Sequence, residues 1–253
     1  MRACNLTQAT AAEVALCCVA LDVTKSLSSS RRSETHRSTT PAVLLSGVTR
    51  VFGMVPALIR VDLRVQRGET LLIRGPNGAG KSTLLRVLAT ALSPTYGSGS
   101  VLGFDLVDGR QDIRLRTEFL GHRTRLYEDL TAFENLRFAC DLYGLHPSAV
   151  PAALEKVGLS DVAGERVRSF SQGMRQRVAV ARALIRSPDL LLLDEPYAGL
   201  DMPAKEAVDG AILAAQREGR TVVLATHDPT RGGMAGRMMV MEAGRLLEAK
   251  SPA

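Results

Sequence analysis

The residues best suited to chemistry form one short segment that is rich in glycine and ends in a lysine and two hydroxyl side chains. The segment fits the pattern G-x-x-x-x-G-K-[ST] and consists of Gly75, Pro76, Asn77, Gly78, Ala79, Gly80, Lys81, Ser82 and Thr83. Glycines let backbone N–H groups turn inward toward anionic oxygens, and a helix starting at the end of the segment adds the positive end of its dipole. Lys81 would neutralise the β- and γ-phosphates of a nucleotide, Ser82 would bind Mg²⁺, and Thr83 would contact the phosphates nearer the base. The pattern therefore predicts a phosphate site.

Two adjacent carboxylates follow a run of four leucines further along the chain. Asp194 ends that run, which is typical of a buried strand, and Glu195 comes next. An acidic residue at the carboxyl end of a buried strand can hold Mg²⁺ beside bound phosphates, usually through water. We therefore expect Asp194 to hold the metal and Glu195 to polarise the attacking water. Away from a phosphate site, the same pair would be ordinary solvated charges.

Strands and helices alternate around these two segments. Strands are predicted at 43–52, 58–66, 70–74, 190–193 and 221–225, helices at 81–91, 112–118, 131–145, 171–185 and 204–218, and hairpins at 93–109 and 237–248. The helix at 131–145 opens on a capping box, with Thr131 as the cap and Glu134 three residues later. Strands that alternate with helices around a central sheet predict an α/β fold.

The first 40 residues differ in composition from the rest. Residues 26–40 read SLSSSRRSETHRSTT and offer almost nothing to bury, so we expect 1–40 to be a disordered N-terminal extension. A basic start and an apolar patch also resemble a signal peptide, although Glu13 interrupts the patch; a transit-like presequence and an over-long gene start are further alternatives. Pro41 marks the boundary, and 41–253 is predicted to be the folded domain.

Composition limits the class of protein. The 253 residues are 45% hydrophobic and 23% charged, enough for one large or two small packed domains. No run of about 18 apolar residues occurs, so the sequence predicts no membrane span. The net charge of +6 is compatible with nucleic acid, a membrane surface or an acidic ligand, but 26 acidic residues interspersed among 32 basic ones favour an ordinary solvated surface. The four cysteines have neither metal-ligand nor disulfide spacing, which fits a reducing compartment.

A third segment decides which family of phosphate-binding proteins the chain resembles. Residues 170–177 read FSQGMRQR, and with the following VAVARAL and LLLLDEP they resemble the signature motif of ATP-binding-cassette (ABC) transporter ATPases. The family usually has LSGGQ; this chain departs from it at Gln172 and Met174 and keeps Ser171 and Gly173, the positions that contact phosphate. Outside this context, a serine at the start of a helix would be a plain N-cap.

Other family positions follow in the same order. Asp201 in Gly-Leu-Asp resembles the D-loop, and His227 after TVVLAT resembles the switch histidine that contacts the γ-phosphate. Phe52 lies where the family places an aromatic ring against adenine. Alone, His227 and Phe52 would be ordinary residues at strand ends. The resemblance covers about residues 43–249 and implies an ABC-type P-loop NTPase domain, with an antiparallel β subdomain and a helical subdomain inserted at about 110–188.

One position points to a branch of the family. Where the family usually has a glutamine that helps to coordinate Mg²⁺ and the attacking water, this chain has His122. The strings FLGH and LTAFENLRF, together with SQGM, resemble the heme-exporter ATPases of cytochrome c maturation. A neutral His122 could accept a hydrogen bond from the lytic water, whereas a protonated one could not.

The resemblance implies an enzyme that binds ATP and Mg²⁺ and hydrolyses the nucleotide. It implies a head-to-tail dimer in which Ser171 and Gly173 of one copy close over the ATP held by Lys81 of the other. It also implies a separate membrane permease as partner, a peripheral location on the cytoplasmic face of the inner membrane, and no nucleic-acid partner. In the family, the permease contacts the segment that here carries an apolar stripe: Phe133, Leu136, Phe138 and Leu142.

Four functions are compatible with these patterns. The first is energising heme export, and the second is energising export of a lipid, drug or polysaccharide. The third is a soluble ABC ATPase acting on DNA or ribosomes, which the chain disfavours because it has neither a long coiled-coil insertion nor a second cassette. The fourth is a small-molecule kinase with the same phosphate loop, which leaves the SQGM segment unexplained.

Overall fold

The computed structural model describes residues 40–121, 124–227 and 235–248. These ranges lie in one compact unit that runs from Ser38 to Ala253. The predicted disordered extension falls, except for its last residue, outside the described residues. Among the residues that are described, no helix is both long and apolar enough to cross a bilayer.

An antiparallel sheet opens the fold. Its strands are β1 (Val43–Phe52), β2 (Val55–Val65), β4 (Tyr96–Val101) and β5 (Phe104–Asp105), in the spatial order β2-β1-β4-β5. The exposed and buried residues of β2 alternate along its second half, as in a sheet with one face in the core. The sheet forms the antiparallel β subdomain that the sequence predicts.

A second sheet carries the predicted phosphate segment. It consists of β3 (Thr70–Arg74), β6 (Thr117–Leu120), β7 (Leu190–Asp194), β8 (Thr221–Thr226), β9 (Arg237–Glu242) and β10 (Arg245–Glu248). The order is β10-β9-β3-β8-β7-β6, and all neighbours are parallel except β10 and β9. Since β3, β7 and β8 end at the same edge, the segments that follow them come together there.

Helices cover both faces of this sheet. They are α1 (Lys81–Leu88), α2 (Arg110–Arg116), α3 (Ala132–Leu142), α4 (Ala149–Lys156), α5 (Gln172–Arg186) and α6 (Met202–Arg217). Leu190 and Leu192 of β7 pack into the core that contains α1, whereas Leu191 and Leu193 pack into the core that contains α3, α5 and α6. A strand covered on both faces must be apolar at every position, which explains the four consecutive leucines.

The observed helices differ from the sequence prediction at several places; the one predicted at 131–145, for example, ends at Leu142. The helix predicted at 112–118 ends at Arg116, and the next four residues form β6, which pairs with β7. The helix predicted at 81–91 ends at Leu88, because Thr90 takes a left-handed φ of 55°. The helix α4 is absent from the prediction. The capping box of α3 is confirmed, since the Thr131 side chain accepts from the Glu134 N–H and the Glu134 carboxylate accepts from the Thr131 N–H.

Candidate functional site

The predicted phosphate segment joins the end of β3 to the start of α1. A side chain at Gly75 would collide with the carbonyl oxygen of Met241, and a Cβ at Gly80 would lie 2.5 Å from the carbonyl oxygen of Ala57. Gly80 also has a φ of 110°, which L residues rarely adopt. Both positions therefore require glycine, and the tight turn directs the unpaired N–H groups of the first turn of α1 toward the loop.

The turn between β9 and β10 supports this loop from outside. The Gly244 N–H donates to the Ala79 carbonyl oxygen at 2.9 Å, and the Gly244 carbonyl oxygen accepts from the Ile59 N–H at 2.8 Å. The loop is thus tied to the C-terminal hairpin and, through it, to β2.

Lys81 lies across the loop with its side chain almost fully buried. Its ammonium group donates to the carbonyl oxygens of Gly75 at 2.7 Å and Pro76 at 3.1 Å. The same nitrogen is 3.4 Å from Oε1 of Glu195. A buried ammonium can attract a polyanion strongly, because little water screens its charge.

Ser82 and Asp194 meet at the edge of the sheet. The Ser82 hydroxyl donates to Oδ1 of Asp194 at 2.8 Å. Burial raises the pKa of Asp194, and the hydrogen bond from Ser82 and the charge of Arg86 oppose that shift. The two side chains offer oxygen donors of the kind Mg²⁺ prefers. No cluster of three or more His, Cys, Asp or Glu residues that could hold a metal ion occurs among the described residues. Mg²⁺ commonly takes several of its ligands from phosphate and water.

Glu195 is held in a strained conformation directly after β7. Its φ is 48°, and its N–H donates to the Ala225 carbonyl oxygen at 2.9 Å. Oε2 accepts from the Thr226 hydroxyl at 3.1 Å and from the His227 N–H at 3.3 Å, and it lies 2.9 Å from Nδ1 of His227. Left-handed conformations of non-glycine residues cluster at functional sites.

These contacts determine the charge of Glu195. Burial raises the pKa of Glu195, but the hydrogen bonds from His227 and Thr226 and the charge of Lys81 outweigh that effect and lower the pKa below its usual value. Glu195 is therefore a carboxylate at neutral pH. Its second oxygen, Oε1, makes no hydrogen bond and is buried.

The signature residues form a second group. Ser171 caps α5, its side-chain oxygen accepting from the Met174 N–H at 3.2 Å, and Asp201 caps α6 by accepting from the Ala204 N–H at 3.0 Å. A Cβ at Gly173 would lie 2.8 Å from Oδ1 of Asp201, so these predicted residues are neighbours. In the described part of the chain, the side-chain hydrogen bonds of Ser171 and Asp201 go to their own helices and not to the phosphate loop.

Phe52 and His122 were also predicted as site residues, and the structure describes only the first of them. Phe52 ends β1, and its side chain is 44% exposed. His122 lies outside the described residues, between Gly121 and Thr124.

The sequence missed two side chains that contact this site. Thr226 is buried and donates to Glu195; its position next to His227 at the end of an apolar strand was the available signal. Arg50 contacts Phe52, with its Cζ atom 4.7 Å from the ring centroid, and nothing in the sequence marks it out among 32 basic residues.

The chain is similar to known proteins. The family described as ABC transporter matches residues 58–198. ABC transporter ATP-binding protein NatA of Bacillus subtilis is 41% identical over 179 residues, which are 69% of this chain and 73% of the relative. Daunorubicin resistance ATP-binding protein DrrA3 of Streptomyces coeruleorubidus is 37% identical over 81% of this chain and 67% of its own length.

The fold is also similar to those of solved ATP-binding cassettes. The ATP-binding cassette MJ0796, in a dimeric post-hydrolysis state with ADP and Pi, superposes with a TM-score of 0.75 at 28% identity, covering 83% of this chain and 99% of that one. The structure of an ATP-binding subunit of an ABC transporter gives a TM-score of 0.76 at 29% identity. The superposition covers 84% of this chain and 90% of that one. With the phosphate loop, the paired carboxylates and the two sheets in place, the chain belongs to the ABC transporter family and is one of its ATP-binding, ATP-hydrolysing proteins.

Proposed function

We propose that the chain is the energising subunit of a transporter, which binds ATP with Mg²⁺ at residues 75–83 and hydrolyses it to drive movement through a separate membrane permease. The convergence of Lys81, Ser82, Asp194 and Glu195 at one sheet edge carries this proposal. The N-terminal extension, 1–40, stays a separate segment in this proposal, and residues 41–253 form the ABC domain with a helical subdomain at about 110–188.

Each residue has a distinct part in hydrolysis. Lys81 and the loop N–H groups hold the phosphates, and Ser82 and Asp194 would hold Mg²⁺, which neutralises charge on the β- and γ-phosphates when bound. Glu195 accepts a proton from the attacking water, and His227 and Thr226 fix the orientation of its carboxylate. His122 would contact the same water in its neutral form.

The second half of the site belongs to another copy of the chain. Ser171, Gly173 and Asp201 form a group of their own, so we infer that they act on the nucleotide of a partner in a head-to-tail ATP sandwich. The dimeric state of MJ0796 supports this arrangement. Closure of the dimer would exclude water and place the α5 N-terminus against the γ-phosphate.

A groove of about 470 Å³ would receive the membrane permease. Tyr127, Phe138 and Leu142 present partly exposed apolar surface there, with exposed fractions of 55%, 44% and 60%. Arg125 lies at the same groove and forms no ion pair with a described residue, whereas Glu118 is occupied by two arginines. A short apolar segment that carries a carboxylate fits this surface. The chain would then sit on the cytoplasmic face of the inner membrane.

The cargo has two candidates. Heme export rests on the strings FLGH, LTAFENLRF and SQGM. Export of a lipid, drug or polysaccharide is the second candidate, and the names of relatives favour an export cargo other than heme: daunorubicin resistance, Nod factor export in Cupriavidus and probable multidrug transport in Escherichia coli. Deleting the gene distinguishes the two, because loss of covalently bound heme in c-type cytochromes supports the first and drug sensitivity with normal cytochromes supports the second.

Lys81→Ala tests the nucleotide site itself. Removing the ammonium leaves the phosphates without their buried positive charge, so the Kd for ATP measured by calorimetry with Mg²⁺ should rise at least tenfold. Lys205→Ala, which alters a lysine of α6, serves as the matched control and should bind like the wild type. Unchanged affinity in Lys81→Ala would contradict the proposed site.

A further inference from the structure

Arg50 holds the exposed ring of Phe52 from one side. Its guanidinium Cζ lies 4.7 Å from the centroid of the ring, a distance typical of a cation–π contact. One nitrogen of the same group, Nη1, donates to the carbonyl oxygen of Ser93 at 3.0 Å. Nε is buried and makes no hydrogen bond. The guanidinium is thus fixed by the Ser93 carbonyl at one edge and by the ring at its face.

The ring is partly exposed and lies on a strand that runs close to the phosphate loop. Phe52 is 44% exposed, and a Cβ on the following Gly53 would meet nothing within 4 Å. The strand partner of Phe52 is Val55, two residues before Ala57, whose carbonyl oxygen limits the space at Gly80. Two residues of an extended strand span about 7 Å, so the ring lies near the end of the loop.

We propose that Arg50 is a positioning residue that makes Phe52 a platform for the purine base of the nucleotide. This inference rests on the nucleotide site proposed above. A cation on one face of an aromatic ring draws electron density toward itself, which makes the other face less negative and a better partner for an electron-rich base. The same contact restricts the ring to one orientation, so less conformational entropy is lost when the base binds.

Arg50→Met removes the charge and keeps an apolar side chain of similar length. The Kd for ATP, measured by calorimetry with Mg²⁺ on the full chain, should rise about fivefold, within the range that loss of base stacking produces. The Kd for tripolyphosphate, which has no base, should not change. In steady-state hydrolysis KM should rise and kcat should not, because the stack is equally strong in the ground and transition states.

Three companion variants separate positioning from general stability. Phe52→Ala should weaken ATP binding more than Arg50→Met, and adding Arg50→Met to it should have no further effect. Arg50→Lys keeps the cation and should recover part of the affinity. Arg116→Met removes a similar contact, Arg116 over Phe104 at 5.2 Å, and should bind ATP like the wild type.

The outcomes are distinct. An equal loss of ATP and tripolyphosphate affinity in Arg50→Met would overturn the inference. A further loss of ATP affinity when Arg50→Met is added to Phe52→Ala would overturn it too. Unchanged ATP affinity in Phe52→Ala would overturn it as well, while the proposed ATPase function would stand as long as Lys81→Ala still weakens ATP binding at least tenfold. A thermal melt of each variant identifies any loss that comes from unfolding.

Discussion

At the scale of single residues, Glu195 has the most constrained environment in the site. It combines a left-handed backbone, three groups that hold one oxygen and a second oxygen without a hydrogen bond. Strain of this kind costs about 1–3 kcal/mol and persists only where the surrounding structure fixes it. The arrangement keeps a charged acceptor at one place beside Lys81.

Glu195→Gln should separate nucleotide binding from hydrolysis. The amide has the shape of the carboxylate but cannot accept a proton from water, so the rate of phosphate release should fall by roughly 10²–10⁴-fold. The Kd for ATP should stay within a few-fold of the wild type. Hydrolysis at the wild-type rate would remove Glu195 from the role of base.

The relative positions of residues within contiguous motifs could be predicted from the sequence, because a fixed spacing there implies a fixed geometry. The phosphate loop and the Asp194–Glu195 pair are of this kind, and the structure brings them together as predicted. Thr226 and Arg50 could not be assigned, since their importance depends on which side chain the fold places opposite them. Thr226 faces a residue 31 positions earlier in the chain.

At the scale of elements, the contact between α5 and β6 stands out. Glu118 of β6 is 5% exposed, and its carboxylate accepts from Arg182, at 2.9 Å, and from Arg186 of α5. Arg182 also donates to the carbonyl oxygen of Thr124. The helix that begins at the signature serine is thereby joined to the segments on both sides of residues 122–123.

Glu118→Ala should destabilise the fold strongly. It leaves two buried guanidinium groups without their carboxylate, and breaking a buried pair in this way costs about 3–5 kcal/mol. Urea unfolding should show a lower midpoint with an unchanged slope. Asp129→Ala removes an exposed partner of Arg168 and should leave the midpoint nearly unchanged. Equal midpoints for the two variants would contradict the assigned role of Glu118.

The strand β6 was not predicted from the sequence, because it depends on a partner strand that is distant along the chain. Thr117–Leu120 is a run of four residues directly after a helix, and it becomes a strand because it pairs with β7, 73 residues later. No local signal reports such a partner. Strands with their own apolar pattern, such as β3 and β7, and the capped helix α3 were predicted, since their local sequences suffice.

At the scale of the whole molecule, the predicted functional residues divide between two groups. The loop, Asp194 and Glu195 form one group, and Ser171, Gly173 and Asp201 form the other. A complete site in one copy would require contacts between the groups. Two inactive variants with defects in different groups should therefore complement each other.

Mixing Lys81→Ala with Ser171→Arg subunits tests that division. Each variant alone should be inactive, since every site in its dimer has one defective half. A mixed dimer contains one site with the intact loop of one copy and the intact signature of the other, so phosphate release should partly recover. Mixing two preparations of Lys81→Ala is the control. No recovery in the mixed sample, with dimers seen by light scattering, would place both halves of the site within one copy.

The bonds that Gly244 makes to Ala79 and Ile59 have a consequence for synthesis of the chain. The loop begins at residue 75, yet the strands that flank β3 begin at Thr221 and Arg237, and the turn that braces the loop follows them. A nascent chain emerging from the ribosome therefore lacks a finished nucleotide cradle until residues 221–244 are translated. Unfinished polypeptides would consume no cellular ATP.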